Sequence, residues 1–323
     1  MIEAIKTVKN ALQKNGDLPE LIHFYIKDGH ILAYNGVTAI SAPIDVKFNA
    51  APAGQLFFKA IAKCNNDDFT MKKVSDHILI TSGKLKVKVP CIPDSDLATL
   101  PTLDTGGVVL DLPNGYPLLD ILETMTQFVS DDKSKPFANG IMFKGYSCFA
   151  TDNIVLAEYY SGVFFPKTMN LPAEAIREIL RIGKSPVEII ATESTVRFVF
   201  DDGSWVMSKL IVHPFPEMEN LLNKFDYSNN SELDQCVFDD VLKISDFTDD
   251  LNVITFEDNE IKSRDAIIET KQKGMTGRYS AKRFLQLKGV ARYMNFNNYP
   301  NPATFTNGKN VRGVIVGMTQ NSV

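Results

Sequence analysis

Leu171-Pro172-Ala173-Glu174-Ala175-Ile176-Arg177-Glu178-Ile179-Leu180 sets a proline just ahead of apolar residues spaced three and four apart. That spacing predicts an amphipathic helix, running here to about Gly183. Two other stretches fill the same place in the chain. Pro52-Ala53-Gly54-Gln55-Leu56 opens a predicted helix from Ala53 to Cys64, with proline at a favoured helix start. Ser280-Ala281-Lys282-Arg283-Phe284 opens a third, predicted from Ser280 to Met294, with Ser280 as N-cap. The three lie roughly 110 to 120 residues apart.

Working outward, each stretch belongs to one repeated pattern: a helix, a strand pair with a tight turn, a second helix and further strands. In the first copy the opening helix is Glu3 to Lys14, with Ile5, Val8 and Leu12 on one face. Its hairpin runs from Leu21–Ile26 through Lys27-Asp28-Gly29 to Ile31–Tyr34, and its last strands are Phe69–Lys72, Ile78–Ile80 and Leu85–Val89. The second copy has a strand at Val108–Leu110 and a helix from Pro117 to Val129. Its hairpin joins Gly140–Phe143 to Cys148–Thr151, and its closing strands are Val187–Ala191, Val196–Phe200 and Trp205–Ile211. The third has a strand near Leu233–Phe238, a helix from Asp239 to Phe247, strands at Asn252–Phe256 and Glu260–Ser263, and a last strand at Val311–Met318. The pattern predicts an α+β chain of three repeated domains, 1–103, 104–224 and 225–323. The boundaries fall in the turn-rich Pro101–Gly107 and Asp226–Asn230.

The 323 residues are 44% apolar and 23% charged, which suits a folded chain and excludes a disordered or collagen-like one. No run approaches a membrane span, and the N-terminus lacks a signal-peptide layout. Cys64, Cys91, Cys148 and Cys236 form no Cys-x-x-Cys pair and read as buried thiols of a cytoplasmic protein. The four histidines lack metal-ligand spacing, and no Gly-x-Ser-x-Gly turn is present. Ile182-Gly183-Lys184-Ser185 ends a helix instead of following a strand, unlike a phosphate loop. Asp201-Asp202-Gly203 sits between apolar runs as a hairpin turn, although its paired carboxylates are the one candidate for hydrolytic or metal chemistry. The expectation is a protein without catalytic, metal or cofactor residues.

The second helix of each copy carries a basic stripe: Lys59 and Lys63; Arg177, Arg181 and Lys184; Lys282, Arg283, Lys288 and Arg292. Residues three, four and seven apart share a helix face. A charge run on one helix is ordinarily a solvated face. Its recurrence in three copies points instead to a shared surface for a polyanion, touching phosphates without reading bases. The net charge of -5 places the acidic excess elsewhere: the three predicted domains carry +2, -6 and -1.

The middle copy resembles a known family. Gly140–Phe143, Phe149-Ala150-Thr151-Asp152 and Leu156-Ala157 are similar to the strands of the bacterial-type beta sliding clamp (the beta subunit of DNA polymerase III) that end in Ala-Thr-Asp-Gly-His-Arg-Leu-Ala. Leu171–Glu174 with Ile176–Leu180, Val196–Phe200, Ser208–Ile211 and Phe215-Pro216-Glu217 continue the resemblance in order. It covers nearly the whole chain, by pattern more than identity in the first and third copies.

The resemblance implies a head-to-tail homodimer closed into a ring, with helices lining the hole and sheets outside. Duplex DNA passes through, held by phosphate contacts, with Lys133 and Lys135 as further candidates. Replicative polymerase, clamp loader and other clamp-motif proteins are the implied partners, and no membrane or cofactor is involved. They dock a short peptide in an apolar pocket, which carries over to Thr151, Ile154, Val155, Leu156, Pro216, Leu221, Val314, Val316 and Met318. The chain departs from the family in several places. Asp152-Asn153-Ile154-Val155 replaces Asp-Gly-His-Arg, Val316-Gly317-Met318-Thr319-Gln320 replaces Met-Pro-Met-Arg-Leu, and the family's first strand is short or missing. Such divergence suits a phage-encoded clamp. The alternative is a scaffold of the same fold that binds protein partners without encircling DNA.

Overall fold

The computed structural model describes residues 1–64, 69–93, 106–110, 112–113 and 115–319. The predicted boundary at 103/104 and the terminal residue of the Val316–Gln320 stretch lie outside these. The described chain divides into two compact bodies, one of Met1–Leu119 with Glu174–Leu210, the other of Asp120–Ala173 with Ile211–Val323. The middle repeat therefore contributes strands to both.

The first body opens with helix Ile2–Val8 and a 3-10 turn at Lys9–Ala11, which bury Ile5, Val8 and Leu12 as their spacing predicts. Pro19–Ile22 is a helical turn, so the predicted first strand starts only at Tyr25. Asp28 and Gly29 both take positive φ (50° and 75°), the geometry of a tight hairpin turn. The hairpin belongs to a seven-stranded antiparallel sheet, in the order Tyr25–Lys27, His30–Tyr34, Thr38–Pro43, Trp205–Lys209, Thr195–Val199, Glu188–Ala191, Val108–Leu110. The register Ser41↔Trp205 to Thr38↔Ser208 fuses strands of the first repeat with those of the second. A four-stranded sheet follows the order Ala51–Pro52, Leu85–Ile92, His77–Ser82, Thr70–Val74. Helices Gly54–Ala62 and Ala173–Ile182 also lie in this body, but for Ala173. The second ends at Gly183, whose φ of 68° closes the last turn.

The second body has a six-stranded sheet, in the order Ser231–Glu232, Tyr293–Asn295, Ala303–Thr306, Val311–Ile315, Val155–Pro172, Gly140–Thr151. A four-stranded sheet has the order Ile267–Glu269, Glu260–Lys262, Val253–Glu257, Gly277–Ser280. Its helices are Leu118–Thr126, but for Leu118 and Leu119, with Met218–Leu222, Cys236–Ser245 and Ala281–Leu285.

Several expectations change here. The predicted hairpin at 140–151 is one twelve-residue strand. Its turn-like centre is a bulge at Gly145 (φ 60°), absorbed by register shifts against Tyr160–Met169. The predicted strand at Leu233–Phe238 gives way to a helix starting at Cys236, because Val237, Phe238, Val241 and Ile244 bury one face at helical spacing. Asp234 accepts from the Cys236 N–H at its start.

The helix predicted to Met294 stops at Leu285. Phe284, Leu287, Val290 and Ala291 are still buried, but mostly through successive i→i−3 turns, and Gly289 takes φ 79°. The last strand ends at Ile315, before Met318. Of the four cysteines only Cys148 is buried; Cys64 and Cys91 are half-buried, Cys236 is exposed, and all four are free thiols. Among the described residues, no helix is long and apolar enough to cross a membrane.

Candidate nucleic-acid interface and apolar pocket

In the first body, Lys59 and Lys63 stand exposed on and just beyond helix Gly54–Ala62, opposite its buried Phe57, Ala60 and Ile61. On helix Ala173–Ile182, Ala175, Ile176 and Ile179 are buried and Arg177 and Arg181 are exposed. Arg177 has no counter-charge within reach among the described residues, whereas Arg181 is engaged. Its Nε donates to Glu178 at 2.8 Å and its NH2 to the Thr7 carbonyl at 2.6 Å. Lys184 bonds Asp202 at 2.8 Å and lies 3.7 Å from Asp201.

Asp201-Asp202-Gly203 is therefore a turn tied to a helix end. Asp202 also accepts from Ser204, and Gly203 has φ 79°. Lys184 first, then Ser204, pulls the Asp202 carboxyl down to about 2. Sequence reading missed Lys9 and Lys14. They join Asn10, Gln55, Phe58 and Glu178 around a cleft of about 450 Å³, with Lys9 Nζ 4.5 Å from the centre of the Phe58 ring.

In the second body Lys133, Lys135 and Lys282 are exposed and unpaired among the described residues. The rest of the third stripe is neither one face nor free. Arg283 reaches Asp152 at 2.7 Å, Lys288 reaches Asp239 at 2.8 Å, and Arg292 reaches Glu232 at 3.4 Å while lying over the Tyr293 ring. Lys288 and Arg292 fall outside the helix because it ends at Leu285.

Of the residues expected to line a pocket, all but Val155 lie around one apolar cluster. Leu156 stands opposite Val314 on one side and Thr151 on the other, in register across three strands. Leu156 and Val314 form a cluster with Met142, Phe149 and Leu222, against which Phe215, Met218 and Phe225 pack. Leu221 (42% exposed), Val316 (41%), exposed Pro216 and half-buried Ile154 and Met318 leave apolar surface around this floor. Val155 is fully buried and pairs with Ile315, on the opposite face of the strand from Leu156.

The wall beyond the last strand is pinned by backbone. Val316 N–H donates to the Ile154 carbonyl and Met318 N–H to the Arg278 carbonyl, both at 2.8 Å. The Tyr299 hydroxyl donates to the Met318 carbonyl at 2.7 Å. Beside the floor, buried Glu158 accepts from Ser147 at 2.6 Å and Arg312 at 2.5 Å, and Arg312 also donates to Asn223 at the end of helix Met218–Leu222. Sequence reading missed Met142, Phe149 and Leu222 in the floor. The spacing of Phe215, Met218, Leu222 and Phe225, three, four and three apart, is a signal it could have used.

The Caulobacter crescentus beta sliding clamp superposes with a TM-score of 0.84 at 16% identity, covering 98% of this chain and 96% of that one. This chain has the beta sliding clamp fold. The Bartonella birtlesii sliding clamp bound to griselimycin matches with a TM-score of 0.82 at 14% identity over 98% of this chain and 96% of that one. The Helicobacter pylori beta clamp bound to a DNA ligase peptide matches at 0.80 and 16%, over 98% and 97%. No family model and no curated protein matches the chain by sequence.

Proposed function

We propose that this chain is a DNA sliding clamp: a non-enzymatic, cytoplasmic homodimeric ring that encloses duplex DNA and tethers replication proteins through the apolar pocket. The likeness to clamps across nearly the full length of both chains carries the reading. The three-repeat division at 103/104 and 224/225 belongs to it. So do the DNA-facing roles of Lys59, Lys63, Lys133, Lys135, Arg177 and Lys282, with Lys9 and Lys14 added. A weak, purely electrostatic hold on phosphates suits sliding, because such contacts read no sequence.

Pairing of copies is supported by the outer strands of two four-stranded sheets, as ordered among the described residues. Thr70-Met71-Lys72-Lys73-Val74 is basic, and Ile267-Ile268-Glu269 is apolar and acidic with Ile267 65% exposed. An apolar edge strand invites another strand, and two unlike edges make a heterologous contact, which gives a ring where the rotation between copies closes.

Small-angle scattering tests the ring. A particle near twice 36.0 kDa with the profile of a hollow annulus is expected. A monomer, or a dimer without a void, would remove the tethering mechanism. The second reading, a protein scaffold of clamp fold, is favoured by one observation: Arg181, Lys184, Arg283, Lys288 and Arg292 are already in ion pairs. Release of the protein from linear but not nicked circular DNA supports the ring; no retention on either supports the scaffold.

A further inference from the structure

Arg283 sits on the short helix Ala281–Leu285, directly after strand Gly277–Ser280, with its side chain 23% exposed. Its guanidinium lies 2.7 Å from Oδ2 of Asp152, whose side chain is 0% exposed. The other carboxylate oxygen, Oδ1, accepts from the N–H groups of Ile154 (2.9 Å) and Val155 (2.8 Å). Thr151 Oγ1 closes the same turn, donating to the Val155 carbonyl at 2.7 Å and accepting from the Asn153 N–H at 3.0 Å. Oδ2 of Asp152 has no hydrogen-bond partner among the described residues, so the Arg283 charge is what compensates it. A buried carboxylate left without its cation is strongly unfavourable and drives the turn to rearrange.

The opposite pocket wall depends on the same corner. Met318 N–H is bonded to the carbonyl of Arg278, in the strand that leads into the Arg283 helix. Val316 is bonded in turn to Ile154, in the turn that Asp152 holds. The two walls are thus fastened to one strand–helix corner, one through a side-chain ion pair and one through backbone.

We propose that Arg283 is a positioning residue of the peptide pocket and not a DNA contact: through Asp152 it sets the Thr151–Val155 turn, and with it the place of Ile154 and the strand register of Leu156. This rests on the pocket reading above. A partner peptide meets a preformed groove only if that turn is held, because ordering it on binding subtracts from affinity.

The test uses the full chain and a fluorescein-labelled DNA ligase peptide, with griselimycin as a second probe. Arg283→Gln is expected to weaken peptide binding roughly tenfold, and Arg283→Lys, which keeps the charge, to recover much of it. Hydrogen exchange at Ile154, Val155 and Val316 is expected to quicken in Arg283→Gln, while Ile78 and Ile80 of the first body stay protected and retention on circular DNA is unchanged. Equal peptide affinity in the wild type and Arg283→Gln overturns the proposal. So does unchanged hydrogen exchange at Ile154, Val155 and Val316 accompanied by a loss of DNA retention, which would return Arg283 to the DNA surface. Absence of binding by the wild type to either probe fails the pocket reading itself, and the positioning role with it.

Discussion

Arg177 and Arg181 lie one helical turn apart and carry the same charge, but only Arg177 is unspent. Arg181 is occupied by Glu178 and the Thr7 carbonyl, so approach of a phosphate would first have to displace them. Lys282 and Arg283 repeat the contrast on neighbouring positions. We therefore expect Arg177→Glu with Lys282→Glu to reduce retention of the protein on nicked circular DNA and to lower the salt slope of binding by about one for each lost phosphate contact. Equal retention and an equal slope in the double variant would count against the phosphate-facing roles.

Asp202 supplies a second prediction at this scale. Its carboxyl is held near 2, below the ordinary value of about 3.9 in an unfolded chain. A depressed folded pKa adds stability above the unfolded value, and that stability is lost as pH falls through the window from about 4 to about 2. Lys184→Met should therefore flatten the acid loss of stability across that window, read as urea midpoints at pH 5 and pH 2. An unaltered slope would mean the pair is too well solvated to matter.

Among elements, the pocket separates floor from rim. Leu156 and Val314 are core residues, and truncating them would cost stability. Leu221 and Val316 are on the rim. Leu221→Asp and Val316→Asp should leave stability within about 0.5 kcal/mol while weakening peptide binding tenfold or more. A variant that melts like the wild type and binds peptide equally well would place the docking site elsewhere. At the end of helix Ala173–Ile182, a side chain added at Gly183 meets only the Leu180 carbonyl at 3.8 Å, so its cost is conformational. Gly183→Ala should therefore lower stability by about 1 kcal/mol through the positive φ alone.

The elements also show what local pattern conveys. Val196 and Phe198 are buried and alternate with half-buried neighbours, and the strand is where alternation places it. Gly145 reads locally as a turn, yet the strand passes through it because eighteen residues of partner strand run alongside. The helix expected to Met294 fails for a related reason. Its apolar spacing is satisfied by tight turns that leave Tyr293–Asn295 free to pair with Ala303–Thr306.

At the scale of the whole molecule, the prediction concerns assembly. If copies pair as proposed, Ile267→Asp, which places a charge beside Glu269 on the outer strand Ile267–Glu269, should give a 36.0 kDa monomer in sedimentation where the wild type gives a dimer. A dimer that survives it would move the interface away from this edge. The buried faces of the helices at Ile2–Val8 and Ala173–Ile182 and the tight turn at Asp28-Gly29 were readable along the chain, because periodicity and turn chemistry involve residues within a few positions of one another. The joining of Thr38–Pro43 to Trp205–Lys209 was not, nor was the pairing of Leu156 with Val314 or of Asp152 with Arg283. Those contacts link residues more than a hundred positions apart, and many strands and charges of the chain would be equally suitable partners. Only burial of the apolar sheet faces together, with each buried charge needing a counter-charge beside it, selects among them. That selection is why a basic helix face in the sequence becomes, in the fold, one set of cations left to solvent and another set committed to holding the protein's own turns.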